Sequence, residues 1–246
     1  IVLSKGEFGL DGATVAAEAD MAVDSASCLK EFDLPGDASD SPDAFLKDMV
    51  IEGEYLNDQD LVRRHVEDAP KRLRDLISWG AVPRSLVKTP GHSYPRGVWI
   101  PGYELANILR RQVIKRDISI KEHTWVTSLV KKDGIVQGAI AIDATSGEQV
   151  FYKALAVILC TGGAARMYPY ATSSVFLTGD GMAMAYDAGA RLIDMEFPMF
   201  LPYTVLSPLA GRGIPFTHDV TNYIDAWALN REGFRYMVQW DPLRME

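Results

Sequence analysis

Three short segments hold the residue types that contact with a flat or phosphate-bearing ligand would need. CTGGAAR, residues 160–166, follows an apolar run, and its two glycines let a ligand or another backbone come close. By itself it reads equally well as a tight turn. TGDGMAMAYDAGA, residues 178–190, opens a helix. Thr178 is placed to cap it, and Gly181, Ala183, Ala185 and Ala188 keep its surface small. Free amides at such a helix start suit a phosphate. Asp180 repels phosphate but accepts well from a ribose hydroxyl; its plain structural role is an acid in the capping turn. GATVAAEAD, residues 12–20, puts small residues just past a glycine loop, where they can lie flat against a planar ligand.

The elements that must position these segments are legible from period and punctuation. Residues 1–5 are a short apolar run, and residues 6–12 hold three glycines and form a loop. Residues 24–41, rich in Asp, Ser, Gly and Pro, are expected to be exposed. A helix starts after Ser41 as N-cap, with Pro42 at its first position and Asp43 at the positive helix end. A second helix is expected over 58–79. Leu61, Val62, Val66, Ala69, Leu73, Leu76 and Ile77 form its apolar face, the opposite face is charged, and Pro70 sits inside it. A third covers 102–115, after Pro101. From 117 the period changes to two. ISIKEH, TWVTSLVKK, IVQGAIAID and EQVFYKA read as an antiparallel meander with turns at Asp133-Gly134 and Ser146-Gly147. ALAVILC, residues 154–160, reads as a continuous apolar strand of the parallel, doubly covered kind.

Composition bounds the rest. The 246 residues carry a net charge of -8, with 48% hydrophobic and 24% charged residues, the profile of a globular protein large enough for a real core. Basic residues are spread out, which argues against nucleic acid and anionic membrane surfaces. Cys28 and Cys160 lie far apart in apolar contexts and read as core thiols, so neither a zinc site nor a disulfide framework is expected. No apolar run approaches the roughly 20 residues of a membrane helix. His92, His123 and His218 are scattered and read as surface or structural, and His65 falls on a polar helix face. Arg212 and Arg235 are the better anion candidates, with a structural ion pair the plain reading for Arg235.

Taken in order, the motifs resemble the flavoprotein subunit family of succinate dehydrogenase and fumarate reductase, which includes L-aspartate oxidase. LSKGEFGLDGATVAAEAD is similar to its strand-end Ser-Lys and small-residue flavin loop. DSPDAFLKDMVIEGEYLNDQDLV is similar to its paired helices. VILCTGGAARMYPY followed by TGDGMAMAYDAGARLIDMEF is the most specific part, and REGFRYMVQWDP resembles a capping-domain segment. The resemblance implies an α/β fold: a Rossmann-like FAD-binding domain of the glutathione-reductase type with a β-meander insertion, plus the start of an α+β capping domain. The expected bounds are 1–197 for an incomplete FAD-binding domain, with the meander at about 124–152, and 198–246 for the capping part. It also implies that Ser4 and Lys5 lie at the adenosine ribose and that Thr14, Val15, Ala17, Glu18 and Ala19 line the flavin. Val126 then meets the adenine side, Thr161, Gly162 and Gly163 pack near the dinucleotide, and Asp180 contacts FAD. The implied activity is hydride transfer between FAD and an activated C–C bond of a small-molecule substrate. The same resemblance implies a partner that carries iron–sulfur clusters or transfers electrons. It also implies a cytoplasmic location, at the membrane face where a partner anchors the chain.

Departures from the family pattern sharpen these expectations. The GxGxxG turn would precede residue 1, and the proton-delivering Arg would follow residue 246, so no catalytic acid is named and the chain reads as a fragment. Ala13 stands where membrane-bound members attach FAD through a His, which implies non-covalent FAD. Glu18-Ala19-Asp20 replaces the usual Gln-Gly-Gly, and its negative charge opposes an anionic reduced flavin. In DMEFPMFLPY, Leu201 takes the place of a carboxylate-binding His, and Leu offers neither donor nor charge. Thr217 and His218 fall near the family's Thr-Glu pair. Leu201, Thr217 and His218 are therefore the expected substrate-side residues, for a substrate less charged or larger than fumarate. The rival expectation is an electron-transfer or non-catalytic subunit with the same fold.

Overall fold

The computed structural model describes residues 1–89, 91–200, 204–214, 227 and 229–239. The chain divides into two compact units, residues 1–124 and 125–246.

In the first unit, β1 (Val2–Leu3) pairs in parallel with β5 (Ile120–Lys121), Val2 opposite Ile120. A second sheet has β2 (Glu18–Ala22), β4 (Gly97–Pro101) and β3 (Ser85–Val87) in that order, antiparallel throughout. Four helices accompany them: α1 (Ser25–Phe32), α2 (Pro42–Glu52), α3 (Gln59–Ser78) and α4 (Gly102–Lys115). The core joins Val23, Cys28, Ala69, Leu73, Ala81, Val98, Ile100 and Ile108.

The helix signals work as their chemistry demands. Ser41 accepts from the Ala44 N–H at 3.1 Å, with Pro42 at the first position. Asp58 accepts from the N–H groups of Asp60 and Leu61 and starts α3. That helix runs through Pro70, which removes one rung without ending it. Its buried stripe is Val62, Val66, Ala69 and Leu73; Leu61, expected on that face, is 68% exposed. The spacing explains it: the row through Leu61 continues to His65, Asp68 and Arg72, which is polar.

The expectation for residues 24–41 fails more thoroughly. The stretch contains α1, and Asp24, Ser25, Cys28 and Asp40 are buried. Asp24 caps α1 by accepting from the Ser27 N–H at 2.9 Å. Asp40 is buried because its charge is matched by Arg96.

In the second unit, β6 (Thr124–Lys132), β7 (Ile135–Asp143) and β8 (Gln149–Lys153) form the expected meander, in the order β6-β7-β8. Asp133 and Gly134 both take positive φ, 52° and 81°, as a two-residue hairpin turn requires. Only Ile120–Lys121 of ISIKEH is a strand, and it joins β1 rather than the meander. The chain leaves the meander after the Ala154 N–H donates to the Gln137 carbonyl at 3.0 Å.

Residues 154–160 then correct two expectations. They form no strand, and Leu155, Ile158 and Leu159 are exposed, as is Cys160. An apolar strand of the parallel kind needs neighbours on both edges and cover on both faces. Among the described residues this run pairs with no strand. A short helix, α5 (Asp180–Asp187), follows. No helix among the described residues is long and apolar enough to cross a membrane.

Candidate functional site

The site residues expected from the sequence fall on both units. In the first, β1 leads into Ser4, whose N–H donates to the Lys121 carbonyl and whose carbonyl accepts from the Thr124 N–H, both at 2.8 Å. Lys5 follows directly and opens the glycine loop. The loop closes on itself where Asp11 accepts from the Glu7 N–H at 2.7 Å, and Phe8 N–H donates to the Glu122 carboxylate at 2.9 Å. A 3-10 turn, Thr14–Ala16, comes next. Ala13, Thr14 and Ala17 are exposed and Val15 is half-buried, so small side chains and bare backbone face outward.

Glu18, Ala19 and Asp20 enter β2 in register with Pro101, Ile100 and Trp99 of β4. Val98 and Ile100 are buried while Trp99 is 36% exposed. The far end of the segment is held by α4, whose first N–H, from Gly102, donates to the Ala17 carbonyl at 2.9 Å.

In the second unit, two of the chemistry-bearing segments come together. Residues 161–166 lie along residues 177–181, with the Arg166 N–H donating to the Leu177 carbonyl at 3.0 Å. The approach is close at three glycines. A methyl at Gly162 would stand 2.7 Å from the Leu177 side chain, and one at Gly179 would be 3.0 Å from the Ala164 methyl. A methyl at Gly181 would overlap the Thr161 hydroxyl. Gly163 faces open space. Thr161, Gly162, Gly163 and Asp180 are thus neighbours, whereas Val126 lies apart in sequence on β6, half-buried. The Lys131 ammonium on β6 donates to the Ala188 carbonyl at the end of α5, at 2.6 Å.

Thr178 does not cap α5. Its hydroxyl donates to the Asp180 carboxylate at 2.7 Å, and Gly179, with φ 79°, occupies the N-cap position instead. A positive φ is cheap for glycine and costly for threonine, which settles which residue takes the corner.

The most deeply buried charge cluster among the described residues is not signalled by the sequence. Arg96, fully buried, donates to both Asp40 oxygens at 2.8 and 2.7 Å and to Asp48 at 2.6 Å. It also sits over the Phe45 and Tyr94 rings. Burial pushes the Asp40 carboxyl upward, but hydrogen bonds from Arg96, Ser25 and Ser41 and the Arg96 charge outweigh it and hold the pKa below normal. Asp48 is likewise lowered: burial opposes, and the Ser93 N–H, Arg96 and the Ser93 hydroxyl prevail. The available signal was a lone Arg following Tyr-Pro before an apolar strand, which is too weak to read.

His92 lies edge-on to Phe45 at 5.7 Å, its pKa lowered by burial and by the Arg96 charge. His65 and His123 are exposed. Arg212 lies over Tyr170, and Arg235 over Trp227 at 4.9 Å. Leu201, Thr217 and His218 lie outside the described residues. Just before them, Met199 and Phe200 are exposed, and the Phe200 ring meets Tyr168 edge-on at 5.2 Å.

These elements, glycine-mediated contacts and exposed small-residue turns define a dinucleotide-binding type of α/β domain. The chain belongs to the FAD binding domain family, whose model matches residues 1–243. It is 36% identical over 252 residues to a CoM/CoB fumarate reductase chain of Methanothermobacter marburgensis, covering 98% of this chain and 44% of that protein. It is 33% identical over 269 residues to a fumarate reductase flavoprotein subunit of Mycobacterium tuberculosis, covering 98% and 45%. The chain thus spans less than half the length of these curated relatives. Among solved structures, it superposes on Mycobacterium smegmatis Sdh1 with a TM-score of 0.81 at 28% identity, covering all of this chain and 43% of that one. A quinol-fumarate reductase gives 0.82 at 27% identity, covering 97% and 40%. The expected fold class, an FAD-binding domain of mixed α/β content, holds.

Proposed function

We propose that this chain is the FAD-binding part of an oxidoreductase of the fumarate reductase type, acting on an activated C–C bond. One observation carries the reading most: bare backbone at 161–164 lies against the start of α5, with open space over Gly163. That suits a flat dinucleotide, as do the exposed Thr14 and Ala17. In this reading Ser4 and Lys5 lie at the adenosine ribose, Val126 meets the adenine side, and Asp180 contacts FAD. Thr14, Val15, Ala17, Glu18 and Ala19 line the flavin, and Thr161, Gly162 and Gly163 back the dinucleotide. When bound, FAD supplies hydride exchange at flavin N5; the protein supplies position and field.

The attachment is non-covalent, because Ala13 has no nucleophilic atom to offer. The experiment is an acid precipitation of the purified protein. All yellow colour is expected in the supernatant as free FAD; colour retained in the pellet overturns the non-covalent reading, and colourless protein that takes up no added FAD overturns the cofactor reading.

Residues 198–246 begin the capping part, and Leu201, Thr217 and His218 are its candidate substrate-binding positions. Leu201 cannot bind a carboxylate by charge, which favours a substrate less charged or larger than fumarate. Full-length protein that reduces fumarate at ordinary enzyme rates would sink that inference. The same Leu201 supports a second reading, an electron-transfer subunit without its own substrate. A flavin that exchanges electrons with redox partners but with no enoate or related small molecule favours this second reading. An iron–sulfur partner at the cytoplasmic membrane face fits both.

A further inference from the structure

We propose that α4 is the brace that shapes the flavin-side loop, residues 8–17, with Gly102 and Arg110 as its two positioning residues. The inference rests on the FAD reading above. Gly102 is the first residue of α4, and its N–H donates to the Ala17 carbonyl at 2.9 Å. A methyl on Gly102 would overlap the carbonyl oxygens of Thr14 and Ala17 and come within 3.0 Å of the Ala17 nitrogen. All three atoms are backbone, so no side-chain rotation relieves the clash. The glycine is not needed for its own φ, which is not in the positive region. Alanine is also the better helix former. The one thing Gly102 provides is the close approach of α4 to the 14–17 turn.

Arg110 sits eight residues further along α4, roughly 12 Å up the helix axis. Its Nε donates to the Phe8 carbonyl at 3.0 Å. Its side-chain stem lies against Gly9, where a methyl would stand 2.8 Å from Cδ and 2.9 Å from Cβ. One helix therefore grips the loop at both ends, while Thr14 and Ala17 stay open on the outer side. A ligand bound there meets a surface whose shape is set from behind.

The test uses FAD titration and the visible circular dichroism of bound flavin, on wild type and variants. Gly102→Ala is expected to weaken FAD binding at least about tenfold and to change the flavin band, because the clash moves the 14–17 backbone itself. Arg110→Ala is expected to do the same to a smaller degree, and Arg110→Lys, which keeps the stem and a donor, to recover most of it. Ile108→Ala, on the core side of α4, is expected to lower the melting temperature and leave the flavin band unchanged. If Gly102→Ala fails to fold, the Arg110→Ala and Arg110→Lys pair decides. Variants that bind FAD with the wild-type affinity and spectrum overturn the brace and leave the FAD reading standing. An Ile108→Ala band shift as large as theirs also overturns it, since the role would then be plain stability. Wild-type protein that takes up no FAD removes the cofactor reading, and the brace falls with it.

Discussion

The Arg96 cluster and the run from Leu155 to Cys160 stand at opposite ends of one rule. The first puts a full guanidinium and two carboxylates inside the first unit, with the side chains of Arg96 and Asp40 at 0% exposure. The second leaves Leu155 fully exposed and Ile158 at 85% exposure in the second unit. Polarity alone ranks these two regions the wrong way round. What decides is whether a residue's partners are present. Arg96 has partners of matching chemistry on every side: the Asp40 and Asp48 carboxylates accept hydrogen bonds from its guanidinium, the Phe45 and Tyr94 rings lie under its face, and the Val23 N–H donates to its carbonyl. The apolar run has no strand on either edge among the described residues, and burial without a ladder would strand its backbone amides.

The comparison breaks most directly at Arg96. Arg96→Met keeps much of the volume and removes the charge, leaving Asp40 buried and unmatched. The expected loss of stability is about 3–5 kcal/mol, read by urea unfolding. Asp48→Asn should cost visibly less, because the Asp48 side chain is 12% exposed and Asp40 still satisfies the guanidinium. Equal costs for the two would mean that the cluster is not organised around the Asp40 pair.

Acid sharpens the same contrast without a mutation. Asp40 and Asp48 have folded pKa values below the unfolded 3.8. Their contribution is therefore complete above about pH 5 and is lost as pH falls through the lowered folded values. Wild-type stability should fall below pH 4, and Arg96→Met should show a flatter acid limb. An identical limb in both proteins would mean that other carboxylates carry the acid sensitivity.

At the candidate site the expected effects are smaller. Gly181→Ala drives a methyl into Thr161 and should cost about 1–3 kcal/mol, as overpacking usually does. Adding Thr161→Gly should return most of it. Failure of the second change to compensate would mean that the two segments do not meet as described.

Much of this architecture was legible because it rests on local chemistry. Ser41-Pro42, Pro101 before α4, and Asp133-Gly134 each fix a boundary through the backbone geometry their own atoms allow. The segments 160–166 and 178–190 were legible as chemistry, although their mutual contact was not, because nothing local encodes a fit between Thr161 and Gly181. Arg96 was illegible for the same reason: its partners lie 48 and 56 residues away. Leu155 to Cys160 misled in the opposite sense, since its pattern describes a strand's needs and says nothing of whether they are met. Thr178 reads as a cap from its type, and Gly179 takes that place because the corner needs a positive φ.

The smallest effect is the most discriminating for the apolar run. Ile158→Ser removes a large apolar side chain from a position that is 85% exposed. A buried strand residue of this size would cost about 2–5 kcal/mol when truncated. At so exposed a position the change should stay within about 0.5 kcal/mol. The same substitution should raise solubility, because it breaks up an exposed apolar stretch of high β-propensity. Urea unfolding of Ile158→Ser beside Arg96→Met puts both ends of the comparison on one scale. A loss at Ile158 approaching that at Arg96 would mean that the run is covered in solution. The contrast between a satisfied buried charge and an exposed apolar run would then vanish.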